Sequence, residues 1–146
     1  AALNRLLCTA PTGHVASIER MAQEGRALSK ANRALRRQIA VQRGRELAET
    51  DGDVASIHDD DADLGELEAL ARAALAVRPD LLILLTGGDR NGAGVFLLAG
   101  PEKRVTESQG RLAEALQARG GGRPGRFQGK AERLDRREQL LATLNG

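Results

Sequence analysis

Apolar residues recur along the first third of the chain at alternating spacings of three and four. Ile18, Met21, Gly25, Leu28, Asn32, Leu35, Ile39 and Gln42 make one heptad row. Pro11-Thr12-Gly13 punctuates the start, and the next proline lies far beyond Ala48. The pattern predicts a single long helix up to about Ala48. The seam is imperfect, because Gly25, Asn32 and Gln42 are weak seam residues. Two readings fit it. The helix packs on its own domain, or it serves as a lever between domains or a contact between two copies. In the second reading Ile18, Met21, Leu28, Leu35 and Ile39 form the oligomer contact.

The pattern then changes period. Glu49 to Asp53 reads as a turn and Val54 to His58 as a short strand, ended by Asp59-Asp60-Asp61. Asp63 can cap a helix over about Leu64 to Val77, with Leu67, Leu70, Ala71, Ala74 and Leu75 on one side. Leu81 to Leu85 is a continuous apolar run, which predicts a strand buried on both faces. Gly94 to Ala99 is its hairpin partner across the glycine-containing turn. A helix is expected from about Val105 to Arg119, a glycine-rich loop over 120–130, and a last amphipathic stretch from Ala131 to Leu144 with Leu134, Leu140, Leu141 and Leu144 as its apolar side. The expected fold class is α/β: a small mixed β-sheet packed with helices and preceded by a long N-terminal helix. The expected division is a helix over residues 1–48 and an α/β domain over 49–146.

Composition narrows the function classes. Apolar residues make up 41% and aromatic residues 1% of the 146 positions. The core must be aliphatic, and modules that stack bases on exposed rings are disfavoured. A lone cysteine, Cys8, excludes an intrachain disulfide and suits a reducing, cytoplasmic setting. No secretory leader pattern opens the sequence, and no apolar run is long enough to span a membrane. The formal charge of +2 hides a strong asymmetry. Residues 15–48 carry +5, residues 49–69 carry −9 with no basic residue, and residues 101–146 carry +4. Basic segments of this kind can attract phosphates; they also keep helices soluble.

The segment from Gly120 to Lys130, Gly-Gly-Gly-Arg-Pro-Gly-Arg-Phe-Gln-Gly-Lys, carries the most information. It contains a GxGxxG spacing, but after an expected helix rather than a strand, so it is no dinucleotide fingerprint. Nor is it a phosphate loop, since Pro124 stands where the first glycine belongs and Ala131 follows the lysine. Three glycines expose backbone N–H groups, and Arg119, Arg123, Arg126 and Lys130 surround them with charge. Donors and cations without a catalytic partner suit an anionic backbone. The alternative is a structural loop whose glycines permit close packing on the sheet.

The string Gly125-Arg126-Phe127-Gln128-Gly129-Lys130-Ala131 after the glycines resembles the C-terminal, DHH-associated domain of alanyl-tRNA editing proteins, relatives of the editing half of alanyl-tRNA synthetase. Leu3 to Cys8 with His14-Val15, the helix segment Lys30 to Leu35, and the strand Gly94 to Pro101 extend the resemblance over nearly the whole chain. The acidic stretch 49–69 matches least. The resemblance implies an accessory domain of an aminoacyl-tRNA hydrolase that removes serine or glycine from alanine tRNA. Arg119, Gly120, Gly121, Gly122, Arg123, Arg126, Gln128 and Lys130 would then contact the tRNA, helped by the arginines of the long helix. The partners implied are alanine tRNA, the catalytic editing domain of the same protein and a possible second copy, with no membrane. The family's hydrolytic zinc is held by paired histidines and a Cys/His pair, whereas this sequence offers only Cys8, His14 and His58. No cofactor is expected in this chain, and neither is a Ser/His/Asp or Cys/His centre. His58 beside three aspartates is expected to be part of a solvated acidic turn. A second copy bound through the heptad seam, without a tRNA contact, is the competing role.

Overall fold

A computed structural model describes the backbone of residues 11–145 and the side chains of residues 17–144. The chain divides into two compact units, residues 1–36 and 37–146. Helix α1 (Pro11–Leu47) begins at the proline, whose missing N–H costs nothing in a first turn. Within the first unit, every described side chain from residue 17 to residue 36 is exposed. The predicted seam residues are exposed too: Ile18 50%, Met21 66%, Leu28 72%, Leu35 57% and Ile39 58%.

The second unit is built on a five-stranded mixed sheet of order β1-β2-β3-β5-β4. Strand β1 (Val54–Asp59) leads through α2 (Leu64–Val77) to β2 (Leu82–Gly88), and the two strands pair in parallel. Asp63 caps α2 by accepting from the Glu66 N–H at 2.8 Å, as its sequence position predicted. β3 (Gly94–Ala99) returns antiparallel to β2. Helix α3 (Glu102–Leu116) then leads to β4 (Ala118–Arg123), β5 (Arg126–Ala131), a short 3-10 turn (Leu134–Arg136) and α4 (Arg137–Asn145).

Helices cover both sides of the sheet. On one side Ala55, Ile83, Leu85, Leu97 and Ala99 meet Leu67, Leu70, Ala71 and Ala74 of α2, with Ala40 of α1 and Ala48 just after its end. Gly44 marks the close approach of the last turns of α1 to α2, because an added Cβ would lie 2.3 Å from the Leu70 carbonyl oxygen. Arg43 pins the same turns to β1 through a 2.7 Å ion pair with Asp59. On the other side Leu82, Leu84, Phe96, Leu98 and Phe127 pack under Val105, Leu112, Leu116, Leu134 and Leu140. The double-sided burial expected for the leucine run of β2 is complete: Leu82 to Leu85 are all at most 1% exposed.

The fold class is the predicted one, an α/β unit with a long first helix. Three local expectations fail. The glycine-rich segment is no loop; it forms the antiparallel pair β4–β5. Helix α3 ends at Leu116 rather than Arg119, because Gln117 turns left-handed (φ 49°) and stops it. The last helix starts at Arg137 rather than Ala131, since Ala131 still belongs to β5 and sits opposite Ala118.

Candidate nucleic-acid interface

The β4–β5 hairpin turns at Pro124-Gly125. Proline fixes a negative φ at the first central position and Gly125 takes φ +81° at the second, the combination of a type II turn. From that turn the register pairs Arg123 with Arg126, Gly121 with Gln128 and Arg119 with Lys130. Directly opposed residues share a face, and residues two apart along a strand share it as well. Arg119, Gly121, Arg123, Arg126, Gln128 and Lys130 therefore stand on one face. It is continuous with the face that carries Val95, Leu97 and Ala99 of β3. The opposite face of the hairpin carries Ala118, Phe127 and Ala131, all buried in the second core. Phe127 locks there against Phe96, edge to face, at 5.1 Å between ring centroids.

Two like-charged pairs thus face each other across β4 and β5. Such opposition is unfavourable in a sheet without a counter-charge. Among the described residues no salt bridge joins Arg119, Arg123, Arg126 or Lys130 to a carboxylate. Gly121, Gly122, Arg123, Arg126 and Gln128 line a cleft of about 240 Å³. The Gln128 Oε1 is buried without a hydrogen-bond donor among the described residues. The arrangement supplies cations, an open backbone and an unsatisfied acceptor, and it holds no nucleophile or general base.

The three glycines have different reasons to be there. An added Cβ at Gly120 would lie 2.1 Å from the Gln128 carbonyl oxygen, and one at Gly122 would lie 2.0 Å from that of Arg126. Gly129 is equally constrained, 2.1 Å from the Arg119 oxygen. These three let the strands approach closely, which is the packing reading of the sequence. At Gly121 an added Cβ would meet nothing within 4 Å, so packing does not explain that glycine.

The other histidine and cysteine expectations resolve unevenly. Cys8 and the His14 side chain lie outside the described residues. His58 is not part of a solvated turn: its side chain is 2% exposed. Its Nδ1 meets the Thr86 hydroxyl at 2.8 Å, and its Nε2 meets Asp60 Oδ1 at 2.8 Å and the Gly88 carbonyl oxygen at 3.1 Å. Both ring nitrogens are engaged, so His58 offers no ready metal ligand. Among the described residues no group of three or more His, Cys, Asp or Glu side chains converges as a metal site, and the zinc implied by the resemblance finds no ligand set there. No described helix is long and apolar enough to cross a membrane.

The hairpin itself was missed from sequence, although a signal was present. Cations alternate with glycine or glutamine at period two on each side of a Pro-Gly pair, which is the signature of two strands with one charged face.

Fold and face together define a class: a helix-covered mixed-sheet domain that presents a two-stranded basic ribbon at one edge. The chain is similar to alanyl-tRNA editing proteins. It is 36% identical over 144 residues to alanyl-tRNA editing protein Aarsd1 of Danio rerio, a match covering 97% of this chain and 34% of the relative. The Rattus norvegicus protein of the same name is 35% identical over 145 residues, covering 98% and 35%. The chain therefore spans about a third of the length of these curated relatives. No protein-family model matches the chain. Among solved structures, the C-Ala domain of Aquifex aeolicus alanyl-tRNA synthetase superposes with a TM-score of 0.55 at 17% identity, over 66% of this chain and 93% of that domain. That likeness shows a shared fold.

Proposed function

We propose that this chain is the tRNA-binding accessory part of an alanyl-tRNA editing protein, and that the open face of β4–β5 is its RNA contact. The carrying observation is the register that gathers Arg119, Arg123, Arg126 and Lys130 around Gly121 on one face, without carboxylate partners among the described residues. Phosphates supply the missing counter-charge. A glycine in the middle of the face lets a sugar-phosphate backbone come close. The buried Gln128 Oε1 needs a donor, and a ribose 2′-hydroxyl is one that RNA has and DNA lacks. The homologues' names support alanine tRNA as the RNA. The hydrolysis of mischarged seryl or glycyl alanine tRNA, with its zinc, belongs in this reading to the catalytic part of such a protein, which this chain would assist by holding the tRNA body.

The test is a titration of the chain into labelled alanine tRNA, an unrelated tRNA and a DNA hairpin of matched length. The Gly121→Glu variant is measured alongside, since its added side chain has room in the fold and reverses charge at the centre of the face. Tight binding to tRNA that is lost in Gly121→Glu supports the reading, and a preference for alanine tRNA adds a role in selection. Equal binding by both proteins would reject the face as the contact.

A second reading rests on a separate observation. Five apolar residues at heptad spacing stand 50–72% exposed on α1. A second copy of the helix would cover them in a coiled coil. If this is correct, the chain sediments as a dimer and Leu28→Asp with Leu35→Asp makes it monomeric. A monomer at all concentrations rejects it.

A further inference from the structure

A second cleft lies at the other edge of the sheet. It is formed where the carboxyl ends of the parallel strands β1 and β2 meet the start of α4. It measures about 290 Å³, and two arginines, Arg90 and Arg137, and two carboxylates, Asp135 and Glu138, line it together with Ser56, His58 and Asn91. That size is at the small end of ligand clefts, which run from ~300 to ~1,000 Å³ for drug-sized molecules. Open α/β sheets characteristically receive ligands outside the carboxyl ends of their strands.

Arg137 is the unusual residue. Its Nη2 donates to the Ser56 hydroxyl, while its Nε is buried without an acceptor among the described residues. A buried guanidinium N–H without a partner is costly. Burial first, and then the neighbouring positive charge of Arg90, lower the Arg137 pKa, with Glu138 opposing. The two arginines are held near one another by the backbone. The Asp89–Ala93 turn is closed by a 3.1 Å bond from the Asp89 N–H to the Ala93 carbonyl oxygen, and the Leu134 N–H donates to the Gly92 oxygen at 2.8 Å. The turn that carries Arg90 is thereby tied to the segment that leads into Arg137. Of the two lining carboxylates, Asp135 is paired to Arg133 at 2.9 Å, outside the cleft lining. Glu138 is the other lining carboxylate among the described residues, without a salt bridge there.

The geometry points to a phosphate-binding site in this cleft, with Arg137 and Arg90 as the charged ligands and Ser56 and Asn91 as neutral hydrogen-bonding partners. An oxyanion there accepts from the orphaned Arg137 Nε and offsets the repulsion between the two guanidiniums. The site is not an extension of the basic ribbon. β1 and β4 are opposite edges of the sheet, four inter-strand spacings or about 19 Å apart, and Ser56 and His58 lie on the sheet face opposite to the ribbon cations. The phosphate is either a free one, inorganic or on a small ester, or one belonging to the backbone of a bound RNA.

Calorimetric titration of the chain with inorganic phosphate tests this. The expected result is saturable binding that weakens about tenfold or more in Arg90→Ala, the loss of one charge-assisted contact. Arg90 is exposed at a turn, so that variant keeps its fold. Arg137→Lys keeps a charge but removes the Nε donor, and it should weaken binding as well. Arg123→Ala with Arg126→Ala should leave phosphate binding unchanged. Absence of saturable binding, indifference to Arg90→Ala, or loss in the ribbon variant would each overturn the assignment. Addition of tRNA separates the two sources. If tRNA displaces inorganic phosphate and Arg90→Ala lowers the salt slope of tRNA binding by about one, the phosphate is the RNA's. If phosphate and tRNA bind independently, the ligand is a free phosphate. Failure of tRNA to bind at all rejects the proposed function and leaves the phosphate titration to decide this site alone.

Discussion

Replacing Arg123, Arg126 and Lys130 together by alanine separates an RNA-binding face from a merely charged one. Four cations stand on the β4–β5 face, and the variant leaves only Arg119. Each phosphate neutralised contributes about 0.7 to 0.9 to the slope of log affinity against log salt. Four contacts give a slope near −3, so affinity should drop about 50- to 150-fold between 50 and 200 mM salt. One remaining contact leaves a drop of only about threefold. Stability should move the other way or not at all. The variant removes the Arg123–Arg126 opposition and half of the Arg119–Lys130 one, and like charges opposed in a sheet are worth a few tenths of a kcal/mol against it. The assay is fluorescence anisotropy with labelled tRNA at several salt concentrations, paired with thermal unfolding of both proteins. A variant that unfolds at the wild-type temperature yet retains the steep salt dependence would refute the reasoning, because the cations would then be making no phosphate contacts.

Two further expectations concern the frame that holds this face. Phe127→Ala removes a ring that is 9% exposed and packed edge to face on Phe96; it should cost about 3–5 kcal/mol in denaturant unfolding and weaken RNA binding through the loss of β5. The Asp61 backbone N–H, and then the Arg43 guanidinium, hold the Asp59 carboxyl below its ordinary value of 3.8, against the opposing effect of burial. A carboxylate depressed in the folded state contributes stability at pH values above its unfolded pKa and loses it as pH falls through the folded one. Unfolding free energy should therefore fall in acid below about pH 4, and Asp59→Asn should flatten that part of the profile in urea melts between pH 2 and 6.

The sequence made some elements plain and hid others for identifiable reasons. Leu81 to Leu85 and Gly94 to Ala99 are apolar runs between turn residues, and no other element accommodates them. Asp63 stands at the helix boundary it caps. The hairpin β4–β5 was hidden because its strands lack the β-branched residues by which strands are usually read; β4 is Ala-Arg-Gly-Gly-Gly-Arg, a composition of low strand propensity. It forms because β5 is anchored by Phe127 and Ala131 and because glycine permits the close approach at Gly120, Gly122 and Gly129. The cations stand out in the sequence as candidates, but their common face depends on register, which only the position of the Pro124-Gly125 turn fixes. The cleft around Arg137 was invisible, since Ser56 and Arg137 lie 81 positions apart and nothing local links them.

Gly121 offers a way to weigh function against stability at a single position. Glycine within a strand costs roughly 0.5–1 kcal/mol relative to a residue with a side chain, through lost chain entropy and lost packing. At Gly120 and Gly122 that cost is forced by contacts near 2 Å, but Gly121 has open space on its side. Gly121→Thr should accordingly raise the stability of the fold by up to about 1 kcal/mol, which for a unit of this size is a rise of about 4 °C in Tm. The same β-branched side chain stands between Arg119 and Arg123 and opposite Gln128, where it bars close approach of an RNA backbone. The expected variant is more stable and binds tRNA more weakly at every salt concentration, with its salt slope nearly unchanged because no cation is lost. A more stable variant with undiminished binding would mean that RNA does not lie against Gly121. A less stable one would mean that the position is constrained by a contact on the open face, and the strand geometry argued for β4 would need revision.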